Sequence, residues 1–235
     1  MRQHPVEDGS PRMSGTMDSR NGGRRASPLD AIRAFHNAFR KDMAAMDASA
    51  YEAARGRASL ALVLDRYSFF NEILVWHANG EEAFVFPALE SVAPLIAEAY
   101  ERDHRGLDSL FGSLHKAVAE SDPIATTRAT AAFRFHLGIH LDKEEAHLYR
   151  IFNERVSLPN QGAIIGKMAQ KVLQNRFPEV VSWLYPLMGH NDRENITRIW
   201  RQTLPDAAFA GTIKLVQEAI GNDWAELTRR IPELK

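Results

Sequence analysis

Apolar residues recur at steps of three and four along most of this chain. From Ser27-Pro28 onward, Ile32, Phe35, Phe39 and Met43 form one stripe, and the spacing predicts an amphipathic helix of roughly five turns. Ser27 suits the N-cap, Pro28 the first helical position and Asp30 the first turn. A second helix is predicted over residues 59–86, through Leu60, Val63, Leu64, Tyr67, Phe70 and Leu74, and Pro87 should end it. A third is predicted over residues 94–120, with Leu95, Ile96, Tyr100, Leu107, Leu110, Phe111, Leu114 and Val118 as its apolar positions. Ser121-Asp122-Pro123 reads as a turn that starts a fourth helix over residues 124–156, stopping before Pro159.

The connections are short, so these helices should alternate in direction. The expected fold is all-α: an up-down-up-down four-helix bundle over residues 28–158, followed by a C-terminal helical extension over 159–235. In that extension, four or five shorter helices are marked off by Phe177-Pro178, Gly189-His190-Asn191, Leu204-Pro205 and Gly221-Asn222. It carries Trp183, Trp200 and Trp224, and the stripe Ile196, Ile199, Trp200 and Leu204 suits packing on the bundle, on a partner protein or on a second copy. Residues 1–27 are rich in Gly, Ser, Arg, Asp and Asn without a periodic apolar face, and read as a disordered N-terminal tail.

Composition narrows the chemistry. The chain has no cysteine, which excludes disulfides, thiolate metal sites, iron–sulfur clusters and cysteine nucleophiles. Any metal must sit among nitrogen and oxygen ligands, which suit iron, manganese or zinc. A net charge of −1 gives no basic field, so nucleic acid is not an expected partner. No run approaches ~18 apolar residues, so no membrane partner is expected either. The N-terminus has no apolar signal core, and the expected location is the cytoplasm.

Two segments stand out against this background. His77-Ala-Asn-Gly-Glu81-Glu82-Ala-Phe-Val-Phe86 and His140-Leu-Asp-Lys-Glu144-Glu145-Ala-His-Leu-Tyr149 share one pattern. Residues four apart share a helix face, so each copy presents an imidazole beside a carboxylate. Four-helix bundles use that pair to hold two metal ions in the core. The first and third helices add His36 and His104, giving the order His, His-x3-Glu, His, His-x3-Glu. Four histidines and two glutamates buried without partners would be prohibitively costly, and a pair of cations would supply those partners.

This constellation resembles the hemerythrin-like, HHE cation-binding family of non-haem di-iron proteins, over roughly residues 29–155. The resemblance implies that His36, His77, Glu81, His104, His140 and Glu144 are metal ligands. It also implies two iron ions, joined by an oxo or hydroxo bridge, with open positions for O2 or another small diatomic ligand. Oxygen-carrying members use a second histidine one turn along the third helix, where this chain has Asp108. The chain is therefore more similar to histidine-poorer versions such as those in iron-sensing ubiquitin ligases. Without cysteine it cannot contain the RING and zinc-finger modules of the plant ligases. The resemblance implies a protein that senses or reacts with O2, NO or iron availability. The alternative is a di-iron oxidase, oxygenase or peroxide-consuming enzyme at the same centre.

Other residues have plainer readings. Glu82 and Glu145 lie one residue off the ligand face and read as solvated carboxylates or supports behind the ligands. Asp108 and His136 read as residues behind the ligands, with direct ligation as the alternative. His115 reads as core or pocket-lining. His4, His147 and His190 read as surface or loop residues, and Tyr67 and Tyr149 as packing, with a hydrogen bond near the site or electron relay as the alternative.

Overall fold

A computed structural model of the protein describes residues 27–170 and 176–234. The expected tail, with His4, lies outside these residues except for Ser27. Ser27 lies just before the first helix and is tied to its start: its amide donates to Asp30 Oδ2 at 2.7 Å and its hydroxyl accepts from the Leu29 amide at 3.3 Å. This reciprocal pairing satisfies two amides that a helix start otherwise leaves open.

Helix α1 spans Leu29–Ala54, longer than expected because Met46, Ala50 and Ala53 continue its buried stripe past Met43. Helix α2 spans Ala61–Gly80. The helical path does not end there or before Pro87. A wide π turn, Glu81–Val85, follows it directly, and the short helix α3, Phe86–Glu90, carries Pro87 in its first turn. A proline ring inside an α-helix clashes with the carbonyl four residues earlier. Here the π turn covers that carbonyl, at Ala83, and the wider winding accommodates the ring.

Helix α4 spans Ile96–Ala119. Leu95, expected on its apolar stripe, instead takes a left-handed backbone (φ 72°) just before the helix and is 76% exposed. Helix α5 spans Pro123–Lys143, and Asp122 caps it by accepting from the Ile124 and Ala125 amides. A second π turn, Glu144–Leu148, leads into α6, Tyr149–Arg155. The two π turns fall on the same Glu-Glu-Ala-x-aliphatic segment of each repeat.

Helices α1, α2, α4 and α5 form the four-helix bundle, and among the described residues there is no strand. One core cluster fills one end of the bundle, with Phe39, Met43, Met46, Tyr67, Phe70, Phe133 and Leu137. A second fills the other end, with Ile32, Val85, Phe86, Leu89, Tyr100, Tyr149 and Phe152. The polar residues of the repeated motif lie between these two apolar layers.

Five further helices follow: α7 (Leu158–Gln170), α8 (Phe177–Leu187), α9 (His190–Thr203), α10 (Asp206–Ile220) and α11 (Trp224–Arg230). Helix α7 lies over the first π turn, where Met168 packs on Gly80. Helices α8 and α9 pack on the outer face of α1, and Ala34 and Ala38 of α1 share a core cluster with Val181, Leu184, Tyr185 and Ile196. The stripe around Ile196 and Trp200 is thus covered within the chain, and the Trp200 ring meets Phe177 and Tyr185.

Candidate metal centre

Each of the four long helices contributes one buried imidazole: His36 from α1, His77 from α2, His104 from α4 and His140 from α5. Glu81 and Glu144 open the two π turns and are fully buried. These six form two triads, His36/His77/Glu81 and His104/His140/Glu144, in each of which one donor atom per residue lies within 4.8 Å of the others.

The triads share their carboxylates. Glu144 Oε1 lies 3.3 Å from His140 Nε2 and 3.9 Å from His104 Nε2, while its Oε2 lies 3.5 Å from His36 Nε2 in the other triad. Glu81 Oε2 lies 3.4 Å from His77 Nε2 and 3.8 Å from His104 Nε2. Both glutamates therefore face both triads. The Nε2 atoms of His36 and His77 approach to 3.1 Å, and the rings of His104 and His140 to 4.8 Å.

The outer ring nitrogens are held crosswise. His36 Nδ1 donates to Glu145 Oε1 at 3.1 Å and His104 Nδ1 donates to Glu82 Oε1 at 2.8 Å. The glutamate of each repeat thus supports the histidine of the other half. This proton placement leaves the Nε2 lone pairs pointing inward, the form a metal needs. Arg40 braces Glu145 at 2.7 Å and reaches Asp142 at 2.7 Å. His140 Nδ1 faces Asp103 at 3.8 Å, and Asp103 is paired with Lys143.

Electrostatics follow from burial. With no cation present, burial pushes the Glu81 carboxyl up to about 8, against the lowering effect of the Tyr149 hydrogen bond. Burial, reinforced by neighbouring Glu81, raises Glu144 well above the usual carboxylate range. Burial and the neighbouring imidazoles push His77 far down and His140 to about 2. Burial would raise Glu145, but hydrogen bonds from His36 and Arg40 outweigh it and hold the group at about 2.

The donor set fits a pair of metal ions. Glu81 Oε2 and both oxygens of Glu144 are buried without a hydrogen-bond partner. Such atoms cost several kcal/mol unless something satisfies them, by roughly 1–3 kcal/mol apiece and more for charged groups. Imidazole nitrogen and carboxylate oxygen suit iron, manganese or zinc.

The remaining expected residues separate. His136 is exposed, its ring edge-on to Phe135, and makes no contact with the six. At about 100° per residue, Phe133, Leu137, Leu141 and Glu144 lie to one side of His140 and His136 to the other, so the buried arc turns away from it. Asp108 is also exposed, but it lines a cavity floored by His104 and His140. His115, expected in the core or a pocket, is exposed beside the Tyr67 ring. His147 and His190 are exposed.

Tyr149, read from the sequence as packing, is part of the site. Its hydroxyl donates to Glu81 Oε1 at 2.8 Å and lies 3.0 Å from His36 Nε2. The signal was present in the repeat: Tyr149 stands where the first copy has Phe86, which packs on the ring of His104 at 5.2 Å. Arg40 carried no comparable signal, because its role depends on α1 crossing α5.

Comparison with known proteins agrees with this geometry. The family model for the hemerythrin HHE cation-binding domain matches residues 27–169. Among curated proteins, zinc finger protein BRUTUS of Arabidopsis thaliana is 24% identical over 201 residues, covering 83% of this chain. The BRUTUS-like proteins At1g18910 and At1g74770 of the same plant are 22% and 21% identical, each covering 77% of it. This chain spans only 16%, 15% and 17% of the lengths of these three relatives. No solved structure matches it. The family match covers more than half of the sequence, and with it the whole bundle and both triads: this chain belongs to the hemerythrin HHE cation-binding domain family.

Proposed function

We propose that the protein holds two iron ions between α1, α2, α4 and α5, and that it senses or reacts with a diatomic ligand such as O2 or NO, or responds to iron availability. The observation that carries this reading is the shared carboxylate. Glu144 puts one oxygen beside His36 and the other beside His104 and His140, the arrangement a carboxylate needs to span two ions. His36, His77 and Glu81 would hold one ion, His104, His140 and Glu144 the other, with Glu81 and Glu144 between them. Iron bound there would supply redox chemistry and an open position for a small ligand.

The chain's own residues would tune that chemistry. Glu82 and Glu145 fix the tautomer and angle of His104 and His36. Tyr149 holds Glu81 in place and offers a proton beside it. The apolar layers above and below exclude water. The cavity that reaches the site has a volume of about 50 Å³. One water-sized molecule needs about 10–15 Å³ of such space, so the cavity has room for a diatomic ligand. Among the described residues no helix is long and apolar enough to cross a membrane, and a cytoplasmic setting is part of the same proposal.

Metal analysis paired with the optical spectrum of iron-reconstituted protein tests the reading. The expected result is close to two irons per chain and absorption changes on mixing the reduced protein with O2 or NO. A stable content of one ion would overturn it.

A further inference from the structure

The two triads are alike in residues and unlike in surroundings. The triad of His36, His77 and Glu81 is sealed. Phe39 meets the His77 ring at 5.2 Å, Phe35 at 6.3 Å, and Tyr149 stacks on His36 at 5.4 Å. Arg40 and Arg33 close over Glu145 behind His36. The triad of His104, His140 and Glu144 is open. Its two imidazoles floor the cavity between α2 and α4, whose walls include Leu74, Val75, Leu107 and Phe111. Glu82, the support behind His104, is 43% exposed, against 22% for Glu145.

We infer that a small neutral ligand reaches the centre through the cavity between α2 and α4, and binds on the side of His104, His140 and Glu144. This rests on the two-metal reading above and adds which metal position the ligand meets. The walls are apolar, and moving an ion between them without a partner is heavily disfavoured, whereas a neutral diatomic molecule loses little. Asp108 is exposed on the cavity lining, so its carboxylate repels anions at the solvent end. Asn71 Oδ1, of a cavity-lining residue, is buried without a hydrogen-bond partner, so the passage has a polar point at which a water or a ligand can pause.

Two measurements test this. In the first, the zinc-loaded full chain is placed under xenon pressure and its methyl resonances are followed by NMR. Leu74, Leu107 and Leu137 should shift, and Ile32 and Leu29 near the sealed triad should not. In the second, iron-loaded reduced protein is mixed with nitric oxide in a stopped flow. Val75→Trp and Leu107→Trp should slow binding about tenfold or more with metal content unchanged, while Leu62→Trp, exposed on the same α2, should leave the rate as it was. Xenon shifts confined to other methyls, or unchanged rates in both tryptophan variants, would overturn the inference while leaving the two-metal reading intact. Loss of the second ion from the unaltered chain would overturn that reading, and the xenon shifts would still report the cavity.

Discussion

Glu82 and Glu145 show how one residue's offset acquires a role. In sequence they sit beside the candidate ligand glutamates and read as solvated carboxylates or supports. In the fold each accepts from the Nδ1 of a histidine in the opposite half. A buried imidazole whose outer nitrogen is held this way is fixed in tautomer and angle, and losing such a support lowers metal affinity by roughly 10–100-fold. Glu145→Ala should therefore weaken metal binding by about tenfold in chelator competition, and Glu81→Ala by considerably more. Unchanged affinity in Glu145→Ala would remove the support role. Tyr149 gives a second expectation. Replacing it with Phe, the residue at the equivalent place in the other repeat, leaves Glu81 Oε1 without its donor. An unsatisfied buried acceptor costs about 1–3 kcal/mol, so metal-free Tyr149→Phe should melt at a lower temperature than the unaltered protein. The deficit should shrink when metal is added, because a cation gives the carboxylate another partner. An equal deficit with and without metal would mean that Tyr149 acts only by packing. The six candidate ligands were legible because their spacing repeats. Tyr149 was legible only as the aromatic that closes the second repeat, and Arg40 not at all, because their partners lie on other helices.

At the scale of elements, periodicity located all four bundle helices, though it ended α1 well before Ala54, and it could not show how α2 and α5 are wound. Both motif copies pass through a π turn that begins at the candidate ligand glutamate. Such turns cluster at functional sites, since the extra residue per turn re-aims the side chains that follow. A pattern built on 3.6 residues per turn does not see one, so Pro87 read as a stop and is instead carried within α3. His136 misled for a related reason: an i,i+4 partner on a stripe is buried only if the stripe's centre lies on its side. Gly80, at the end of α2, marks another element-scale constraint. A Cβ there would come within 2.7 Å of Met168 Cγ on α7, so the glycine is needed for close approach, not for an unusual backbone angle. Gly80→Val should destabilise the fold by roughly 1–3 kcal/mol through overpacking. Met168→Ala in the same background should recover part of that loss. Denaturant unfolding of the double-mutant cycle measures it, and an equal cost of Gly80→Val in both backgrounds would show that α7 does not press on α2 there.

At the scale of the whole molecule, the C-terminal helices and the site meet at α1. The Trp183 indole donates to the buried Asp42 carboxylate at 2.7 Å, and Arg66 pairs with the same carboxylate. The Trp183 ring lies 5.6 Å from Phe39, whose ring in turn lies 5.2 Å from His77. The sequence read this region as a helical extension whose apolar stripe would pack on the bundle, on a partner or on a second copy. It could not tell which surface the helices cover, since an apolar stripe fits a partner as well as its own chain. The fold assigns α7 to the first π turn and α8 and α9 to α1, so two truncations should behave differently. A chain ending at Gln170 keeps α7 and all six candidate ligands. It should retain its metal content but self-associate, because Ala34, Phe35 and Ala38 lose the helices that cover them. A chain ending at Val156 also uncovers Gly80 and the π turn that holds Glu81, and it should lose metal affinity as well, since a looser native state binds its ions less tightly. Elemental analysis and light scattering on both chains decide the matter. Equal metal affinity in the two would show that α7 is dispensable to the site, and a monodisperse monomer ending at Gln170 would show that α1 does not depend on the C-terminal helices for its cover.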